Sequence, residues 1–199
     1  MQTGEDRAWE ILTSLNPDDV CKRASVSFDK ESFAYMLKSF GNDFQFLLND
    51  KKISGNSPDS DLFLNKLGYF FRLSALYYLN NAKDVPLTNR LVKPSDLKDG
   101  QHFFRGTHVL PLDKIAEKYC NDTSLFIKKG ELLGGEKLQY GDASLKLLPF
   151  PRVPVILIIW KTDEEFPARA DLLFDSTCDF QLPIDIIWAI AMISILVML

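Results

Sequence analysis

Apolar positions recur along this chain first at helical and later at strand spacing. Trp9, Leu12 and Leu15 lie three residues apart and predict a helix over residues 6–15, with a short second helix entered at Asn16-Pro17 and ending at Arg23. Residues 32–40 and 43–51 flank Gly41-Asn42 and predict a hairpin with a two-residue loop. Pairing across that loop sets Leu37 opposite Phe46 and Tyr35 opposite Leu48, all on one apolar face. That face needs a cover, and a helix predicted over residues 61–79 supplies it. Phe63, Leu67, Phe70, Ser74 and Tyr77 keep helical spacing there, and Phe71 and Tyr78 widen the stripe. Residues 83–106, punctuated by Pro86, Pro94 and Gly100, read as loop with short strands. Two further helices are expected, one over residues 111–119 and one from its Asp122 cap to Leu133, ended by Gly134-Gly135.

After this break the period becomes extended. Residues 136–140, 143–148, 153–160 and 169–174 predict four strands. Val155 to Ile159 is apolar without interruption, which marks a central strand covered on both faces, with Pro154 near its start where a missing donor costs least. From Pro183 to Leu199 the only charge is Asp185. A bilayer core asks for about 20 apolar residues, with about 17 as the lower limit. This run has no flanking Lys or Arg anchor, so a core helix is the expectation, with a membrane-held tail or a dimer interface as alternatives. The pattern as a whole gives an α+β fold: an antiparallel or mixed sheet centred near residues 153–160, packed by helices near 61–79 and 183–198. One domain over 1–199 is expected, with residues 1–54 as a possible helix-plus-hairpin subdomain.

Composition narrows the function more than it names it. With 46% hydrophobic and 25% charged residues the chain is an ordinary globular protein, and its 15 Phe are spread widely enough to predict an aromatic core. A net charge of −4 and the lack of a Lys/Arg run argue against nucleic acid as a partner. Cys21, Cys120 and Cys178 are odd in number and far apart, so no disulfide framework is expected. Residues 1–10 are charged and lack the apolar stretch of a signal peptide, which makes the cytoplasm the expected compartment.

The candidate chemistry is sparse. Asp163-Glu164-Glu165 is a dense acidic turn between two strands; Asp163 and Glu165, with Asp175, are the set that an acid–base pair or a hard cation would use. The competing reading is a solvated hairpin tip, and for Asp142 and Asp175 a turn-forming role. His102 and His108 fit neither a helical metal pair nor a zinc spacing. Cys178 lies between Asp175 and Asp179, acids that oppose a reactive thiolate. Arg152 and Arg105 are lone candidates for an anion.

The segments Gly134-Gly-Glu-Lys-Leu-Gln-Tyr-Gly-Asp142, Pro151-Arg-Val-Pro154, Trp160-Lys-Thr-Asp-Glu-Glu-Phe-Pro167 and Leu173-Phe-Asp175 resemble a family of uncharacterised prokaryotic domains found mostly in anaerobes. Pro86-Leu-Thr88 and Leu97-Lys-Asp-Gly100 follow the pattern more loosely, and the resemblance runs from about Leu62 to the end. Some members of that family carry an iron–sulfur label or follow an iron–sulfur module. Clusters are usually held by four thiolates, and this chain has three cysteines, so no cluster is expected here; with neither a phosphate loop nor a zinc spacing, no other cofactor is expected either. The resemblance implies a cytoplasmic domain and supplies no activity. Together with the absence of a catalytic constellation it makes the leading expectation a non-catalytic accessory or binding module, engaging a protein partner, a second copy of itself, or a cofactor-bearing protein of anaerobic metabolism. The alternatives are a carboxylate enzyme, metal-dependent or not, and a membrane-associated protein.

Overall fold

In the computed structural model, which describes residues 3–199, the chain begins with α1 (Gly4–Ser14), opened by a capping box. The Thr3 hydroxyl accepts from the Asp6 N–H and the Asp6 carboxylate accepts from the Thr3 N–H. α2 (Pro17–Ala24) follows, capped by Asn16 as its Asn-Pro entry foretells. β1 (Ser27–Asp29), β2 (Ala34–Ser39), β3 (Asn42–Leu47) and β4 (Lys52–Gly55) then form an antiparallel meander in sequence order.

The β2–β3 hairpin exists, but its register differs from the expected one. Its two loop residues are Phe40 and Gly41, so Leu37 pairs with Phe44 and Tyr35 with Phe46. Both loop residues have positive φ, 47° and 76°, as a type I′ turn requires. Phe40 is held in that unusual conformation because its ring is buried and stacks on Phe63 at 5.3 Å. A slip of two positions leaves every side chain on its expected face. Tyr35, Leu37, Phe44 and Phe46 are all fully buried.

The expected helix over 61–79 is divided. Leu62–Lys66 forms a π-helical turn, with the Leu67 N–H bonded to the Leu62 carbonyl at 2.8 Å, and α3 (Gly68–Asn81) follows. One extra residue in a turn rotates the rest of a helix by about 100°. The stripe begun at Phe63 therefore continues through Phe71, Ser74, Ala75 and Tyr78, while Phe70 and Tyr77 fall to its half-buried margin. Phe44, Phe63 and Phe71 meet at centroid separations of 4.7 to 5.7 Å. Each such pair contributes about 0.5–1.5 kcal/mol beyond its buried area.

Next come β5 (Leu91–Val92), α4 (Gly100–Phe103), α5 (Leu112–Tyr119), α6 (Thr123–Leu132), β6 (Glu136–Leu138), β7 (Ala143–Phe150), β8 (Val153–Trp160), β9 (Arg169–Asp175), α7 (Cys178–Gln181) and α8 (Ile184–Leu196). The five strands make a wholly antiparallel sheet in the order β5-β9-β8-β7-β6, which puts β8 in the middle. Val153, Val155, Leu157 and Ile159 face a core shared with α5, α6 and α8. Ile156 and Ile158, pointing the other way, are buried as well. The turn after β6 closes over Ile158, so tightly that a methyl group on Gly141 would stand 2.7 Å from its Cγ2.

The apolar C-terminal run is core. α8 packs on α3 and β7, with Ile186, Ile187, Ile190, Ile193 and Ile195 buried, and Tyr119 and Lys118 donate to the Met198 carbonyl. Among the described residues no helix is long and apolar enough to cross a membrane. The two sheets meet at a seam where the Phe40 N–H donates to the Leu148 carbonyl at 2.9 Å. Gly41 and Gly134 touch there, and a Cβ on Gly134 would lie 2.8 Å from the Gly41 Cα. Both have positive φ, so glycine satisfies the turn and the close approach together.

Candidate functional site

Two hollows adjoin on the outer side of this seam. One, about 340 Å³, lies on the sheet face turned away from the helices, and strand and loop residues alone line it, among them Leu87, Leu91, Leu138, Tyr140 and Ile156. The other, about 490 Å³, lies between the sheets at Lys38, Gly41 and Gly134. Leu148 and Pro151 border both, so the two form one trough. Leu87, Tyr140 and Leu148 are 38%, 48% and 38% exposed, large apolar side chains without a cover. Lys146 on the trough wall is paired with Glu136, whereas Lys38 forms no ion pair among the described residues. The walls suit an extended apolar group, and the volumes fall in the range of ligand sites.

Asp175 stands at the end of the trough, buried, and its carboxylate is densely hydrogen-bonded. It accepts from the N–H and hydroxyl of Thr88, the N–H of Asn89, and the N–H and hydroxyl of Thr177, five bonds of 2.7 to 3.3 Å. Burial acts to raise its pKa, but the donors on Thr177 and Thr88 outweigh it and the net shift is downward. Asp175 thus pins the 88–90 segment, where Asn89 adopts a φ of 57°, to the end of β9. Oδ1 takes four of these bonds and Oδ2 only that of Asn89, so the carboxylate serves chiefly to hold this segment in place.

The other acidic candidates stand elsewhere. The Asp163 carboxylate accepts from the Glu165 and Phe166 N–H groups at 2.9 and 2.7 Å, and those bonds hold its pKa below the usual value. Asp142 accepts from the Lys161 N–H at 2.7 Å. These two aspartates share a hollow of about 380 Å³ with Trp160, Phe166 and Arg169, whereas Glu165 lies outside it. The Arg169 guanidinium sits over the Trp160 ring at 4.9 Å, and the indole N–H donates to Asp171. Asp175 lies at the far end of β9, about 20 Å from Arg169 at roughly 3.3 Å per residue. The geometry therefore corrects the expectation that Asp163, Glu165 and Asp175 act as one set. Among the described residues, no three His, Cys, Asp or Glu side chains are grouped to hold a metal ion.

His102 is exposed on α4, and His108 lies in a separate turn with its ring stacked on Phe103 at 4.3 Å. Arg152 is not an anion site. Its guanidinium donates to the carbonyls of Lys22, Arg23 and Val85 and pairs with Asp84, which clamps the C-terminus of α2 to the start of β8. Burial first, then Asp179 and Asp175, push the Cys178 thiol far above its ordinary value, so the flanking acids act as their positions foretell. Leu148, Tyr140 and Leu87 were not among the candidates. Their signal in the sequence was faint: a large apolar residue at an outward strand position or in a loop is common in any globular chain.

A domain of unknown function (DUF3786) matches residues 16–196, nearly the whole chain, and the chain belongs to that family. The match reaches further toward the N-terminus than the residues that first carried the resemblance. No curated protein and no solved structure matches the chain.

Proposed function

We propose that this member of the family is a non-catalytic binding module, and that the trough along the sheet seam receives an extended, mainly apolar segment of a partner protein. The observation that carries this reading is the continuity of the two hollows through Leu148 and Pro151. An extended segment fills such a shape, and apolar side chains meeting Leu87, Tyr140 and Leu148 would remove exposed hydrocarbon from water. Lys38, at one end and without an ion pair among the described residues, suits an acidic residue flanking that segment. The family resemblance extends the proposal to partners in the metal-cofactor metabolism of anaerobic prokaryotes and to a cytoplasmic setting. The commitment of Asp175 to holding the 88–90 segment and the separation of the remaining acids support binding over carboxylate catalysis.

Photo-crosslinking in the native host tests the reading. A photoreactive residue at position 148 or 140 is expected to give one discrete adduct with another protein, absent when the same residue replaces Leu132, which is 73% exposed on α6. Identical adducts from all three positions would remove the trough from consideration. An adduct between two copies of this chain would replace the partner with a homo-oligomer.

A further inference from the structure

At the other end of the molecule, a hollow of about 170 Å³ lies between the first turns of α3 and α8 and the segment that carries Phe103 and His108. Its walls are aromatic and nearly orthogonal. Tyr69 meets Phe70 at 75°, Phe70 meets Trp188 at 79°, and Trp188 meets His108 at 83°, each pair within 5.2 to 5.7 Å. The Trp188 indole N–H is spent on the His108 carbonyl at 2.9 Å, which fixes the ring. Tyr69 is 82% exposed at the rim. Leu73, Ile186 and Ala189 add aliphatic surface, and two polar groups join them. Asp185 is exposed and forms no ion pair among the described residues. The Ser74 hydroxyl is fully buried and has no hydrogen-bond partner among the described residues.

We propose that this aromatic box binds a small alkylated ammonium ion. Ring π-systems attract a cation, and tetraalkylammonium ions suit such boxes because their charge is spread over apolar methyl groups. The Asp185 carboxylate at the mouth favours a cation over a neutral guest of the same shape, and a hard metal cation would lack the six or so oxygens it requires. At about 30 Å³ per water-sized group, the hollow holds about six, enough for the five heavy atoms of tetramethylammonium and close to the seven of choline. A hydroxyl two carbons from the nitrogen, as in choline, would offer Ser74 the partner it lacks.

Calorimetric titration of the full chain with tetramethylammonium, choline and the neutral isostere 3,3-dimethylbutanol decides the matter, with amide NMR locating the site. Both cations are expected to saturate at millimolar concentration and to shift resonances of Ser74, His108 and Trp188, and the alcohol to bind at least about tenfold more weakly. Asp185→Asn, which keeps size and shape, and Trp188→Phe, which keeps an aromatic ring but gives up the bond to His108, are each expected to weaken the cations about fivefold or more without changing the fold by circular dichroism. Equal binding of the alcohol would reduce the box to an apolar dent. Failure to saturate, or affinities unmoved by both substitutions, would overturn the proposal outright.

Discussion

Asp163 and Asp175 belong to one β8–β9 strand pair, and both hold their carboxyl groups below the ordinary range, yet they do different work. Asp163 is exposed and accepts from the two N–H groups just after it, so its bonds organise a local turn. Asp175 is buried and binds Thr88 and Asn89, more than eighty positions earlier, as well as Thr177. A downward pKa shift therefore says only that donors surround the charge. Burial, and how far along the chain those donors come from, decide whether the fold depends on it.

Substitutions should separate the two in order. Asp175→Ala leaves three backbone N–H groups and two hydroxyls without their acceptor, and a loss of about 3 kcal/mol or more is expected from urea unfolding at neutral pH. Thr177→Val keeps the shape of the buried side chain and removes one hydroxyl donor, and about 1 kcal/mol should follow. pH sharpens the contrast. Because Asp175 has a depressed folded pKa, its stabilisation is complete above the unfolded value of about 3.9 and fades as the pH falls through the folded one. The stability gap between wild type and Asp175→Asn should be widest near neutrality and narrow below about pH 4. At the small end, Asp163→Ala should leave the urea midpoint unmoved. A midpoint change comparable to that of Thr177→Val would collapse the distinction.

The elements with strong local signals were legible in the sequence. Val153 to Trp160 was readable end to end because a short, β-branched apolar run suits the middle of a sheet, whereas the longer run after Pro183 suits a buried helix. Asn16 and Asp122 announced their helices, and both side chains cap them. The hairpin slipped by two because the Gly41-Asn42 signal competes with a tertiary one: burying Phe40 against Phe63 makes Phe40-Gly41 the loop. β1, β4 and α7, of three to four residues each, are too short for periodicity to register. Arg152 looked available for an anion because its partners, Lys22, Arg23 and Asp84, are distant in sequence. The aromatic box was hidden for the same reason. His108 and Phe103 were visible as neighbours, but Tyr69, Trp188 and Asp185 join them only through folding.

The glycine-to-glycine seam has a kinetic consequence. The meander closes through short turns, and so does most of the five-stranded sheet, whereas the Phe40 to Leu148 bond spans about a hundred residues. Closing a loop of that length costs about 4 kcal/mol of chain entropy before any contact rewards it. Docking of the two sheets is thus expected to be a late folding step. Gly134→Ala, which sets a methyl group against the Gly41 backbone, should leave both halves free to form while obstructing their final closure.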